Sequence, residues 1–342
     1  MKNRQFFPLF SLSALLFSGA LSSCAQTKTP TSRMATAQAP TSSTRKPVQP
    51  AKVVDVWTKR RAIYDYDRRV PLELKSISRQ SNNGVLTEKM SVRGVRGATE
   101  PFYIVTPAAA TANNRAPGLI LIHGLGGDIE QMLFVAQLYA NQGYASLIPE
   151  IVNHGERYSN SHARFGTDVT SLRSDIIESV GDIRRTLDVF AARPQIDAQR
   201  IGLVGISLGS ILGTMTTSVD ERIATAVFTV GGADWRTILG QSDISSSSTK
   251  DATQKLSAAQ IALLDDVDPK NFVGHIAPRP ILLLNGKRDN IIPVAAARTF
   301  FQSAREPKKQ IWFDSGHLLP VLEVAAPIND WLEDHLKKPA AT

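Results

Sequence analysis

Arg200-Ile201-Gly202-Leu203-Val204-Gly205-Ile206-Ser207-Leu208-Gly209-Ser210-Ile211-Leu212-Gly213 is the stretch whose reading decides the fold. Ile201 to Val204 reads as a short apolar strand, Gly205 and Gly209 bracket a turn around Ile206-Ser207-Leu208, and small residues then open a helix. The pattern is Gly-x-Ser-x-Gly at a strand-turn-helix junction. A bend that sharp strains the backbone at Ser207, and a side chain two residues to either side would collide with the neighbouring strand and helix. Glycine at 205 and 209 removes those collisions. The expected result is a lone hydroxyl at the carboxyl edge of a sheet. The amino end of a helix behind it offers N–H groups and a positive partial charge to a developing anion. A plain Gly/Ser turn fits the same five residues, so the reading depends on what surrounds them.

The chain has 342 residues and a formal net charge of +8. That length suits one domain of about 250 to 290 residues with an appendage. Lys2, Arg4, Lys28, Arg33, Arg45 and Lys46 fall in residues 1–50 without any Asp or Glu, and they supply six of the eight charges. The remainder is near neutral and shows no basic stripe with interleaved aromatics, which argues against a nucleic-acid partner.

The N-terminus reads as an address. Met1 to Arg4 carry two positive charges, and Phe6 to Leu21 are almost wholly apolar, an n-region and an h-region too short for a comfortable membrane span. Leu21-Ser22-Ser23-Cys24 follows and resembles the lipobox of bacterial lipoproteins; Cys24 is the single cysteine, so no intrachain disulfide is possible. The resemblance implies a signal peptide over 1–23, palmitate-type acylation at Cys24, and attachment to the membrane of the bacterial cell envelope. Ala25 stands where inner-membrane retention would usually show Asp. The periplasmic side of the outer membrane is thus favoured in a Gram-negative source. Residues 25–50, rich in Thr, Ser, Ala, Gln and Pro, read as a disordered tether, so the linker is 24–50 and the folded domain 51–342.

Along the domain, Val53 to Tyr66 reads as a short amphipathic helix. Leu72 to Ser78, Thr87 to Val95 and Pro101 to Thr106 read as an antiparallel edge, separated by Ser81-Asn82-Asn83-Gly84 and Gly97-Ala98-Thr99. Leu119 to Ile122 is a continuous apolar run, as a strand buried on both faces should be. His123-Gly124-Leu125-Gly126-Gly127 turns from it into a helix from about 130 to 142. The glycine spacing fits neither a dinucleotide fingerprint nor a P-loop. Tyr144 to Ile148 is a strand ending at Pro149-Glu150-Ile151-Val152-Asn153-His154-Gly155-Glu156-Arg157, where His154 is expected to stabilise a loop rather than react. Thr170 to Ala192 is a helix, Ile223 to Val230 a strand, and residues 236–270 a polar insertion expected to form a small lid. Ile281 to Leu284 and Gln310 to Phe313 are the last strands, and a helix from Val321 to Leu336 closes the chain.

Alternating strands and helices argue for a mostly parallel sheet wrapped by helices. Ser207, Asp289 and His317 each follow a strand end. Asp289 lies in Gly286-Lys287-Arg288-Asp289-Asn290-Ile291-Ile292-Pro293, with Asp234 as the alternative acid, and His317 lies in Ser315-Gly316-His317. Asp314 is too near His317 in sequence to be its partner. The chemistry needs these types: Ser207 is a weak nucleophile until His317 takes its proton, and Asp289 fixes the imidazole tautomer. His123, His154, His162, His275 and His335 have no metal-ligand spacing, so no metal site is expected.

The elbow and the order Ser, Asp, His resemble the α/β-hydrolase superfamily over residues 72–338. The His-Gly-Leu-Gly-Gly turn and His-Gly-Glu-Arg loop are similar to its dienelactone-hydrolase and acetyl-xylan-esterase-like branch. Dienelactone hydrolases carry a Cys nucleophile where this chain has Ser207, which moves it toward serine esterases. The resemblance implies the α/β-hydrolase fold and an oxyanion hole from the backbone N–H groups of Leu125 and Leu208. It implies a small-molecule ester as substrate, cleaved through an acyl-enzyme, and no cofactor. A peptidase or thioesterase with the same triad, and a catalytically silent envelope lipoprotein on this fold, are the rival expectations.

Overall fold

A computed structural model of the chain describes residues 55–158, 165–166 and 168–337. The expected signal segment, Cys24 and the tether lie outside the described residues, as does His162. Among the described residues no helix is long and apolar enough to cross a membrane.

Asn83 and Gly84 both take positive φ, 48° and 75°, the geometry that matches a two-residue turn to the twist of its strands. They close a hairpin of β1 (Lys75–Asn82) on β2 (Val85–Arg93). The strands therefore run into the segment expected to separate them, because the turn needs only two residues. β3 (Thr99–Pro107) pairs antiparallel with β2 on one side and with β5 (Ala145–Pro149) on the other. From there the sheet is parallel, through β4 (Ala116–Ile122), β6 (Ile196–Ile206), β7 (Ile223–Thr229), β8 (Ile281–Gly286) and β9 (Lys308–Phe313). The nine strands lie in the order β1-β2-β3-β5-β4-β6-β7-β8-β9.

The period of two along β4 divides the interior. Ile120 and Ile122 join a core with α3 (Val169–Ala191), α4 (Leu208–Val219) and α8 (Val294–Ser303) on one face. Leu119 and Leu121 join α2 (Ile129–Asn141) and α9 (Val321–Leu336) on the other. With both faces covered, no position of the strand tolerates water, which is why its sequence is continuously apolar. At the far edge of the sheet β1 is exposed throughout.

The chain enters through α1 (Val56–Ala62), capped by the Asp55 carboxylate on the Thr58 N–H at 3.0 Å. Trp57 stacks on His275 with ring centroids 3.7 Å apart. The expected lid region holds α5 (Trp235–Gln241), α6 (Ser247–Gln254) and α7 (Ala258–Asp265). This insertion is tied down at both ends. The Asp243 N–H donates to the Asn290 carbonyl at 2.8 Å, and Arg173 of α3 holds Asp266 at 2.9 Å.

Charge is buried where helices meet. Asp220, just after α4, accepts from Arg184 Nε of α3 at 3.1 Å and from Arg222 at 2.7 Å. Burial pushes the Asp220 carboxyl up, but the Arg222 hydrogen bond and the charges of both guanidinium groups outweigh it and hold the group down at about 2. A carboxyl lower in the folded than in the unfolded chain stabilises the fold above the ordinary value of 3.8. That contribution, roughly 2 kcal/mol, disappears as pH falls from about 4 to 2. Asp220→Ala strands buried guanidinium and is expected to lower the unfolding free energy at pH 7 by roughly 3–5 kcal/mol, with a flatter acid limb. Urea unfolding at pH 7 and pH 3.5 measures both, and a loss below about 1 kcal/mol at pH 7 would show that these charges are dispensable.

Candidate active site

Ser207 sits between β6 and α4 with φ 55° and ψ −113°, outside the regions open to an unstrained residue. The surroundings enforce it. The Ser207 N–H donates to the Thr229 carbonyl of β7 at 2.8 Å. The buried Ser210 hydroxyl bridges the Gly205 and Thr229 carbonyls at 2.7 and 2.8 Å. A Cβ at Gly205 would overlap the Gly209 carbonyl, and one at Gly209 would overlap the Ile122 carbonyl at the end of β4. Both glycines are thus required by backbone, which cannot swing aside as a side chain can.

Two further loops converge on Ser207. Gly286 ends β8 in contact with the Gly316 backbone, where a side chain would not fit. The Arg288 N–H donates to the Ser315 carbonyl at 2.9 Å, and the Arg288 side chain pairs with Asp314. These contacts lock the loop after β8 to the loop after β9. Asp289 Oδ1 accepts from the Ile291 and Ile292 N–H groups at 3.0 and 2.9 Å, and Oδ2 faces His317 Nδ1 at 2.8 Å. His317 Nε2 is 3.0 Å from Ser207 Oγ. A carboxylate only accepts, so Nδ1 carries the proton toward Asp289 and the Nε2 lone pair faces the hydroxyl. This chain of bonds can draw a proton off Ser207.

The alternative acid, Asp234, lies elsewhere: it bonds Thr237 at 2.8 Å and Lys270 at 3.3 Å. His154 is buried, donates from Nδ1 to the Val152 carbonyl at 2.9 Å, and is pulled below the ordinary histidine value by burial. It is the loop-stabilising residue the sequence suggested. Leu208 is the first residue of α4, so its N–H has no intrahelical acceptor. The Leu125 N–H also has no acceptor among the described residues, and a Cβ on the neighbouring Gly124 would lie 3.4 Å from Ser207 Cβ. The two free N–H groups therefore belong to backbone segments that flank the serine. Among the described residues no group of three or more His, Cys, Asp or Glu is placed to hold a metal ion.

Sequence reasoning passed over a buried pair beneath this site. His123 Nε2 and Glu150 Oε1 are 2.8 Å apart, with side chains only 2% and 1% exposed. Beside them Arg157 is held by Glu100, Glu178 and Asp182. Burial pushes the Glu100 carboxyl well above the ordinary carboxylate range, and the Arg157 charge opposes it.

Sheet order, elbow and loop positions define an α/β-hydrolase fold. The chain belongs to the dienelactone hydrolase family, whose model matches residues 101–315. It is 23% identical over 240 residues to the putative esterase YitV of Bacillus subtilis, an alignment covering 64% of this chain and 89% of that one. In structure it resembles an acetyl xylan esterase from Paenibacillus sp. R4, with a TM-score of 0.67 and 18% identity over 84% of this chain and 97% of the other. Acetyl xylan esterase 1 from Thermoanaerobacterium sp. JW/SL YS485 superposes with a TM-score of 0.65 and 17% identity, over 80% of this chain and 92% of that one. These structural likenesses bear on the fold.

The elbow's tight contact makes a stability contrast. Gly209→Ala is expected to cost several kcal/mol or prevent folding, because two backbone segments must separate. Gly240→Ala in α5, where the nearest atom would be 3.6 Å from the new Cβ, should be neutral or stabilising by up to about 1 kcal/mol. Thermal melts of the two variants check this, and equal melting temperatures would refute the steric account.

Proposed function

We propose that the chain is a serine hydrolase of carboxylic esters that works through an acyl-enzyme, with Ser207, His317 and Asp289 as its triad. The observation that carries this reading is the unbroken chain Ser207 Oγ–His317 Nε2–Nδ1–Asp289 Oδ2, at 3.0 and 2.8 Å, beside two unengaged backbone N–H groups. His317 takes the hydroxyl proton as Ser207 attacks the ester carbonyl, and Asp289 steadies the imidazolium that forms. The Leu125 and Leu208 N–H groups receive the oxyanion, each worth roughly 3 kcal/mol in the transition state. His317 then protonates the leaving alcohol. A water, deprotonated by the same imidazole, releases the acid and regenerates Ser207. Family membership supports ester chemistry, since a lactone is a cyclic ester, and so do the esterase names of the relatives. The segment holding α5 to α7 would act as a lid that shapes the pocket.

Ser207→Ala should lower turnover of a p-nitrophenyl acyl ester by at least about 10⁴-fold and abolish labelling by a fluorophosphonate, with melting temperature unchanged. Asp289→Asn should cost roughly 10⁴-fold in kcat by presenting the wrong tautomer. Labelling located at another residue, or full activity in either variant, would overturn the assignment. Matched ester, thioester and anilide substrates of one acyl group separate esterase from thioesterase and peptidase action.

The same proposal places the enzyme at the bacterial cell envelope, tethered by acyl chains on Cys24 and, in a Gram-negative cell, facing the periplasm from the outer membrane. Cys24→Ala should move the protein out of the membrane fraction or leave it unprocessed. Unchanged incorporation of a palmitate analogue would rule the anchor out.

A further inference from the structure

We infer that His123 and Glu150 are positioning residues for the oxyanion hole, and that the His154-Gly155-Glu156-Arg157 loop exists to hold Glu150 in place. The inference rests on the ester-hydrolase reading above and concerns the same site. The carbonyl of Gly124 and the N–H of Leu125 belong to one planar trans unit and point in opposite directions. Whatever fixes the carbonyl also aims the N–H. The Gly124 carbonyl is fixed twice, by His123 Nδ1 at 2.9 Å and by the Gly127 N–H at 3.1 Å. Because a carbonyl only accepts, Nδ1 must carry hydrogen.

Glu150 secures that hydrogen. Its Oε1 lies 2.8 Å from His123 Nε2. With its hydrogen on Nδ1 the ring leaves a lone pair on Nε2, which accepts from the Ile151 N–H at 3.4 Å and from Glu150 when that group carries a hydrogen. Without Glu150 only the long contact from the Ile151 N–H to Nε2, at 3.4 Å, favours this tautomer, and in the other one Nδ1 presents a lone pair to a carbonyl and repels it. Glu150 is in turn held by its backbone: its N–H donates to the Pro101 carbonyl at 3.2 Å and its carbonyl accepts from Arg157 at 3.4 Å. Arg157 is anchored by three acids, Glu100, Glu178 and Asp182. Gly155, at φ +47°, lies so close to Glu150 Oε2 that any side chain there would overlap it. The glycine and arginine of the loop thus act on the Glu150 carboxyl and backbone, and through His123 on the Leu125 N–H.

The test uses the full-length protein, p-nitrophenyl acetate, and a phenylboronic acid that forms a tetrahedral adduct on an active serine. Glu150→Leu should lower kcat roughly 10- to 100-fold with KM nearly unchanged, and weaken boronate inhibition by the same factor, because the oxyanion hole is engaged only once the tetrahedral centre forms. Glu150→Gln, whose amide N–H can donate to Nε2 and keep the tautomer, should recover most of that loss. If Glu150→Leu fails to fold, His123 supplies the comparison. An asparagine there can place its amide near the Nδ1 position and a glutamine near the Nε2 position, so His123→Asn should exceed His123→Gln in kcat. Impairment by Glu150→Gln equal to that by Glu150→Leu, a loss confined to KM, or the reverse order of the two His123 variants would overturn the inference. A wild type that neither turns over ester nor takes a fluorophosphonate would instead overturn the hydrolase reading.

Discussion

The approach of α4 to the carboxyl ends of β4 and β6 is the constraint on which the rest of the site depends. At Gly209 the helix backbone lies against the Ile122 carbonyl, and at Gly205 the strand backbone lies against Gly209. This closeness bends the chain through Ser207 and leaves its hydroxyl beside the turn that follows β4. Strain at one residue is tolerable because the Thr229 carbonyl and the Ser210 hydroxyl bind the bend from behind. With the serine fixed, the loops after β8 and β9 need only bring Asp289 and His317 within hydrogen-bond reach. The backbone contact at Gly286 and Gly316 arranges that.

The interior carries more charge than its apolar strands suggest. Arg157 meets three acids, and Asp220 meets two arginines, at places where helix, strand and loop come together. Such groups are costly to bury and costlier to leave unpaired, so they favour one arrangement of the elements over near alternatives. In this chain the Arg157 cluster abuts the Glu150 backbone, which links the packing of α3 to the geometry above Ser207.

Much of this arrangement was legible in the sequence, for reasons that are local. Leu119 to Ile122 is buried on both faces and so reads as strand. The glycines of the elbow show in their spacing around Ser207, and Gly205 is dictated by the backbone of Gly209 within the same five residues. Ser207, Asp289 and His317 each sit just past an apolar run, and the structure places them within hydrogen-bond reach. What escaped depends on partners distant in the chain. β6 begins at Ile196, ahead of the apolar run from Ile201 to Val204 that reads as its strand, because Ile196 and Asp197 pair with Ala116 and Pro117 before the register shifts. Only the first part of β1 falls within the strand read at Leu72 to Ser78, because its end, Arg79 to Asn82, is exposed and carries no apolar signal. The His123–Glu150 pair joins two segments 27 residues apart, and neither residue has local spacing to mark it. The one cue was the loop motif itself, whose glycine and arginine had no evident task.

The entry of the chain also sets an orientation. Trp57 of α1 lies against Phe272 and His275, and the Phe272 carbonyl accepts from Ser218 at the carboxyl end of α4. Ser207 is at the amino end of that helix, about 16 Å away at 1.5 Å per residue. The domain therefore has a root and a crown: the polypeptide joins it at the root, and Ser207 opens at the crown. A pull applied at Asp55 would be borne by the pole opposite the Ser207 hydroxyl.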